Sequence, residues 1–239
     1  MRLIRKSAVI FLGILFFAGC AELQQIAMGD RPLTNDEVIS GLTEALEVGA
    51  VRAADTASER GGFLDNPDLF IIFPPEARRV ERTLRDIGMG ALVDDFLQNL
   101  NRAAEDAASS AAPVFRSAIS QMTIQDGFEI LRGPEDAATE YLRRTTSDEL
   151  RALFAPVISQ ALEDELATRY WSDITETYNQ IPFVQPVDTD LTSYTTTRAL
   201  DGLFTLLAEE ERQIRRDPVK RTTDILRRVF GHPDAQHGS

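Results

Sequence analysis

Apolar residues recur along most of this chain at three- and four-residue intervals, the period of a helix with one buried face. Val38, Ile39, Leu42, Ala45 and Leu46 form the first such stripe. Thr34 and Glu37 stand ahead of it at capping-box spacing, so a helix is predicted from there to about Ser58. A turn cluster follows, Arg60 to Pro67, then a brief apolar strip, Phe70 to Phe73, the one strand-like stretch, stopped by Pro74. Pro75 suits the first turn of a helix with Val80, Leu84 and Ile87 on its face, and Gly88 ends it.

From Gly90 a longer stripe runs through Val93, Phe96, Leu97 and Leu100, then narrows to Ala103, Ala104, Ala107 and Ala111. Small side chains there let a neighbouring helix approach closely. Pro113 should break or kink this helix, with Val114, Phe115, Ala118, Ile119 and Met122 carrying the face onward. Thr123 with Asp126 caps a short helix ending at Gly133, and Pro134 opens another reaching about Arg144. Thr146 with Glu149 reads as a second capping box, leading a helix interrupted by Pro156. Tyr170, Trp171, Ile174 and Tyr178 mark a further helix, its aromatics read as core, before a proline-punctuated loop from Ile181 to Asp190. Asp190 caps a long helix to Arg216, and Asp217-Pro218 caps the last one, ending at Phe230-Gly231. No alternating strand pattern, βαβ rhythm or internal repeat interrupts this. The fold class is all-α: one domain of roughly eight to ten helices without significant sheet.

The N-terminus has a different logic. Arg2, Arg5 and Lys6 precede a charge-free run from Ala8 to Gly19. At about twelve residues the run is too short to cross a bilayer, which takes roughly 20. A basic start, a short apolar stretch and small residues form a secretory signal. Here the small residues lead into Cys20, the only cysteine in the chain. Phe17-Ala18-Gly19-Cys20 resembles the lipobox of bacterial lipoproteins, departing from it where Phe17 replaces the usual leucine. The resemblance implies cleavage before Cys20 and acylation of its sulfur and new amino group; the alternatives are an uncleaved anchor helix and a chance cysteine after a signal peptide. The expected organisation is a signal peptide over residues 1–19, an acylated cysteine and short tether over 20–32, a helical domain over 33–231 and a disordered tail over 232–239. Neither Ala21 nor Glu22 is the aspartate after the cysteine that is linked to inner-membrane retention. The expected location is therefore the periplasmic face of the outer membrane, with the lipid as the membrane contact.

Charge narrows the partners. The 239-residue chain carries a net −13, and loss of the signal makes it −16. So acidic a body repels phosphate backbones, which argues against nucleic acid and against electrostatic docking on anionic lipid. An envelope protein partner or an apolar small molecule fits better.

Catalytic groups are scarce. The only histidines, His232 and His237, lie in the tail; with Asp234 they form at best a loose metal set. No P-loop, no G-x-G-x-x-G ahead of a helix and no H-E-x-x-H occurs, so no cofactor is expected. Asp65, Asn66 and Asp68 lack EF-hand spacing and read as a turn. Carboxylates and arginines remain. On the helix around residues 199–218, Glu211 falls within the apolar face of Leu200, Leu203, Phe204, Leu207 and Ile214. Glu210 lies at the edge of that face, Arg215 one turn beyond Glu211, and Arg198 one turn before Asp201. A buried carboxylate must be paired, hydrogen-bonded or protonated. Asn101, Arg102 and Glu105 form a second polar set that could face the first. Three readings stay open: an ion-pair network fixing helix register, a polar cavity for a small molecule or metal, and an acid/base pair of a hydrolase.

Several stretches together resemble the bacterial domain-of-unknown-function 4197 (DUF4197) family: LTNDEVISGLTEALEVG, GFLDNP, LNRAAEDAA, AISQMTIQDGFEILRG, AATEYLRRTT, YNQIPF and ALDGLFTLLAEEERQIRRDPVKRTTDILRRVFG. The likeness spans Leu33 to Gly231. It implies one continuous domain in an envelope protein of Gram-negative type, often a lipoprotein. It carries no activity, cofactor or catalytic residue, so the expected function is a non-enzymatic, lipid-anchored binding module.

Overall fold

A computed structural model describes residues 31–163 and 190–232. The expected signal peptide, Cys20, the helix expected around Trp171, the loop expected before Asp190 and the tail expected beyond His232 lie outside the described residues. The described chain is all-α, as the apolar periodicity predicts. Its helices are α1 (Asn35–Ser58), α2 (Arg78–Asp86), α3 (Gly90–Ala108), α4 (Ala111–Ser120), α5 (Ile124–Arg132), α6 (Ala137–Glu163), α7 (Leu191–Arg216) and α8 (Asp224–Phe230). Single 3-10 turns at Pro75–Ala77 and Pro218–Lys220 precede α2 and α8.

The start signals work as read at three places. Thr34 and Glu37 close a reciprocal capping box on α1, Thr123 and Asp126 another on α5, and Asp190 accepts from the Ser193 N–H on α7. The Thr34 backbone N–H, with Arg31 nearby, holds the Glu37 carboxyl down at about 2.

Four expectations are corrected. Thr146 caps nothing: α6 is continuous, and the Thr146 hydroxyl donates back to the Leu142 carbonyl at 2.6 Å. Pro156 does not interrupt α6 either. It removes one hydrogen bond, to the carbonyl of Ala152, but both residues are exposed, so water can serve that oxygen. Leu150, Phe154, Ile158 and Leu162 remain fully buried on the other face, which outweighs the loss. The break expected at Pro113 falls one turn earlier, between Ala108 and Ala111. A proline ring clashes with the carbonyl four residues back, here Ser109, so Pro113 sits in the first turn of α4, where no N–H is needed. Last, Asp217 caps the Pro218–Lys220 turn, and Thr223 caps α8.

Helices α1, α3, α6 and α7 form the centre, with α6 on α7, α7 on α1 and α3 on α6. Helix α4 packs on α1 and α6, and α8 packs on α1, with Val229 against Gly41. Phe115 and Phe204 meet edge to face, 5.9 Å between centroids, inside this core. Among the described residues no helix is long and apolar enough to cross a membrane. Residues 70–74 are extended but join no strand among the described residues.

Candidate functional site

The predicted polar residues do not form one cluster. They divide into separate ties, and the three most buried hold main chain rather than one another.

Asn101 lies on the core face of α3 and is 0% exposed. Its Oδ1 accepts the Ile71 N–H at 2.7 Å, and its Nδ2 donates to the Ile71 carbonyl at 3.0 Å. The side-chain amide thus takes the place of a neighbouring strand for the extended strip. That explains why Phe70–Phe73 looks strand-like yet pairs with no strand among the described residues.

Glu105, one turn further along α3, is 3% exposed. Its Oε1 accepts three backbone N–H groups, from Gly61 at 3.1 Å, Phe63 at 3.2 Å and Leu64 at 3.0 Å. Arg102 lies 3.6 Å from Oε2 and is the only cation paired with this carboxylate among the described residues. The loop can present converging N–H groups because Gly61 adopts φ +94°, a conformation other residues rarely take. Phe63 of the same loop is fully buried against Gly202 of α7, where an added Cβ would stand 2.6 Å from the ring. The carboxylate and the phenyl ring pin one loop from two sides.

Glu211 and Arg215 do the same between helix ends. The Glu211 side chain is 9% exposed and Arg215 10%. Glu211 accepts from the Ala138 N–H at 3.0 Å, the Thr139 N–H at 2.8 Å and the Thr139 hydroxyl at 2.9 Å. These are first-turn donors of α6, which no intrahelical carbonyl can serve, at the positive end of the helix dipole. Arg215 bonds Glu211 at 2.9 Å and donates to the Ile130 carbonyl in the last turn of α5 at 2.8 Å. One ion pair on α7 therefore caps the end of α5 and the start of α6. Beside it lies a cavity of ≈ 20 Å³ with mainly apolar walls, including Leu42, Leu46, Leu207 and Phe230. That is room for about one water, not for a ligand.

Glu210 points elsewhere, to Arg52 of α1 at 3.5 Å. Asp201 is half exposed and pairs with Arg198 at 3.0 Å and Arg143 at 3.8 Å. Neither shares a partner with Glu211, and Asn101, Arg102 and Glu105 do not meet that pair. No group of three or more His, Cys, Asp or Glu side chains suited to a metal ion occurs among the described residues.

Sequence reasoning missed a larger opening. A groove of ≈ 550 Å³ lies between residues 68–78 and α7. Leu69, Phe70, Ile72 and Pro75 supply its apolar wall, and Arg78, Tyr194, Arg198 and Asp201 its polar one. The Tyr194 hydroxyl donates to the Ile72 carbonyl at 3.1 Å, tying the two walls together. Ile72 itself remains 44% exposed. The apolar strip with an isoleucine on its outward parity is the sequence signal that could have found it.

Comparison with known proteins gives no match among curated proteins or solved structures. One family model, described as a protein of unknown function (DUF4197), matches residues 32–231. That match takes in both helices bearing the buried ties, and the chain belongs to the DUF4197 family.

Proposed function

We propose that this protein is a lipoprotein of the bacterial envelope, anchored through Cys20 on the periplasmic face of the outer membrane, and that its helical domain binds a partner protein rather than catalysing a reaction. The observation that carries the anchor is the short apolar run ending in Phe17-Ala18-Gly19-Cys20. Binding is favoured over a small-molecule, metal or hydrolytic site because the buried carboxylates are already committed. Glu105 and Glu211 each accept at least three hydrogen bonds from the protein itself, and the space beside Glu211 holds about one water. A general acid or base needs a free position for substrate.

The groove beside Ile72 is the binding surface in this reading. It sets an apolar wall against a polar one, the mixed composition of transient interfaces. A photo-crosslinking amino acid at Ile72 in the anchored protein should give a discrete adduct in cells, weakened by substituting Arg78. The same probe at Ile124, 52% exposed on α5, should not give that adduct. Identical adducts at both positions, or none at Ile72, contradict the groove.

A further inference from the structure

Building on the groove beside Ile72 as the binding surface, we propose that the partner lies in it as an extended chain, hydrogen-bonded like an added strand to the outer edge of residues 70–74. The segment it offers is apolar, with a basic residue at one end and an acidic residue at the other.

The strip is built as half of a strand pair. Asn101 holds both the N–H and the C=O of Ile71, the two bonds a neighbouring strand would make. Ile71 and Phe73 are 2% and 3% exposed, so their side chains fix the strip on the core. In an extended chain, successive residues offer their N–H and C=O groups to opposite edges. With Ile71 turned to Asn101, Phe70 and Ile72 face the other edge, where α7 forms the far wall of the groove. Tyr194 on α7 donates to the Ile72 carbonyl there, and the Phe70 N–H turns back to the Asn66 carbonyl at 2.8 Å. The Ile72 N–H and the Phe70 C=O have no partner among the described residues. They are one donor and one acceptor on the same edge, the set that an added strand takes up.

An unpaired N–H in a solvated loop is ordinary, but this one differs in two ways. It belongs to a chain already held extended, so a partner strand meets an edge that needs no further ordering. It also borders a groove walled by Leu69, Phe70 and Pro75, and Ile72 beside it is 44% exposed. Main-chain bonds supply the affinity in such pairings, and the pockets for alternate side chains supply the selectivity.

The charges of the groove set the chemistry of that segment. Arg198 and Asp201 pair with each other at 3.0 Å, and Asp201 also meets Arg143. Asp68 and Arg78 are the other two charged residues of its walls. Both are exposed, and neither takes part in an ion pair among the described residues. Asp68 precedes the strip and Arg78 follows it, so opposite unpaired charges flank the strip along the chain. An occupant with a cation towards Asp68 and a carboxylate towards Arg78 complements both, and the order of those two residues gives the direction in which its chain runs.

To test this, the full-length protein carries a photo-crosslinking amino acid at Thr205, an exposed residue of the far wall, and is irradiated in cells. Hydrogen exchange is read at the Ile72 amide before irradiation and in the purified adduct. That amide should exchange freely in the first state and several-fold more slowly in the second. The Ile71 amide, already bonded to Asn101, should be slow in both. Ile72→Pro deletes the N–H at an edge position, where an extended chain tolerates proline. It should lower the adduct yield roughly fivefold against Ile72→Val, about the worth of one hydrogen bond. Asp68→Lys and Arg78→Glu should each lower the yield as well, and the adducted peptide should carry a basic and an acidic residue on opposite sides of the crosslinked one. An Ile72 amide that exchanges equally fast in both states would overturn the proposal. So would equal yields from proline and valine variants that melt like the parent, unchanged yields from both charge variants, or an adduct made only with a second copy of this chain. If the proline variant melts early, the exchange measurement, made on the parent backbone, decides. Absence of any adduct from Thr205 or Ile72 removes the groove as binding surface and this proposal together, whereas an adduct with an unprotected Ile72 amide removes the added strand alone.

Discussion

Glu105→Ala should cost about 3–5 kcal/mol of folding stability, the range for removing one partner of a buried, hydrogen-bonded charge. The substitution leaves the N–H groups of Gly61, Phe63 and Leu64 without their acceptor, in a loop packed over the core. Each donor left dry costs about 1–3 kcal/mol, softened where water can enter the space left by the side chain. Domains of this size are stable by only about 5–15 kcal/mol, so the variant should melt far below the parent or fail to accumulate. Glu105→Gln separates charge from geometry. Its amide oxygen can still accept from the loop, but without the strengthening a charged acceptor gives, so it should lose roughly half as much. Denaturant unfolding followed by circular dichroism reads both. A loss below about 0.5 kcal/mol for the alanine variant is the size of an ordinary surface substitution. That result would show that Glu105 does not hold the loop.

The second large effect is expected at Glu211. Glu211→Ala strips the first turn of α6 of its acceptor and leaves Arg215, 10% exposed, without its carboxylate. A loss of about 3–5 kcal/mol is again expected. Because the two residues act as one cap across two helix ends, the effects should not add. The double variant Glu211→Ala with Arg215→Ala should lose clearly less than the sum of the singles, since it no longer strands a buried guanidinium. Strict additivity would mean the pair is not coupled. Glu211→Gln should fall between parent and alanine, and a loss under about 0.5 kcal/mol there would contradict burial of the pair.

Both results turn on interactions only half visible in the sequence. Helical spacing places Glu211 on an inward face, because a 3.6-residue period needs no knowledge of the partner, and marks Asn101 and Glu105 as a polar set on an alanine-rich helix. What those side chains hold cannot be read the same way. Their partners are backbone groups of Ile71, Gly61, Phe63, Leu64, Ala138 and Thr139, from 30 to 73 residues away. Every residue except proline offers a backbone N–H, so such a bond leaves no trace in residue identity. Proximity on one helix also misled. Asp201 stands ten residues before Glu211, turned about 80° from it around the axis, and Glu210 about 100°. Each therefore meets a different neighbour, Arg198 and Arg143 in one case, Arg52 in the other.

Helix starts were legible where the cap is local. Thr34 with Glu37 and Thr123 with Asp126 satisfy donors within their own four residues, so nothing distant can override them. The same pattern at Thr146 and Glu149 forms no cap. Tyr141 and Leu142 ahead of it, with Leu150 and Phe154 after it, are all buried on one side of α6. Continuous burial along that stripe outweighs a local signal worth about 1 kcal/mol.

The anchor is the claim on which the functional account depends, and one measurement tests it most directly: intact mass and N-terminal peptide mass of the protein taken from the membrane fraction of its host. The account predicts a chain that begins at Cys20 and carries acyl chains on that residue, with Met1 to Gly19 removed. A membrane-fraction protein that retains residues 1–19, or begins elsewhere with Cys20 as a free thiol, would contradict it.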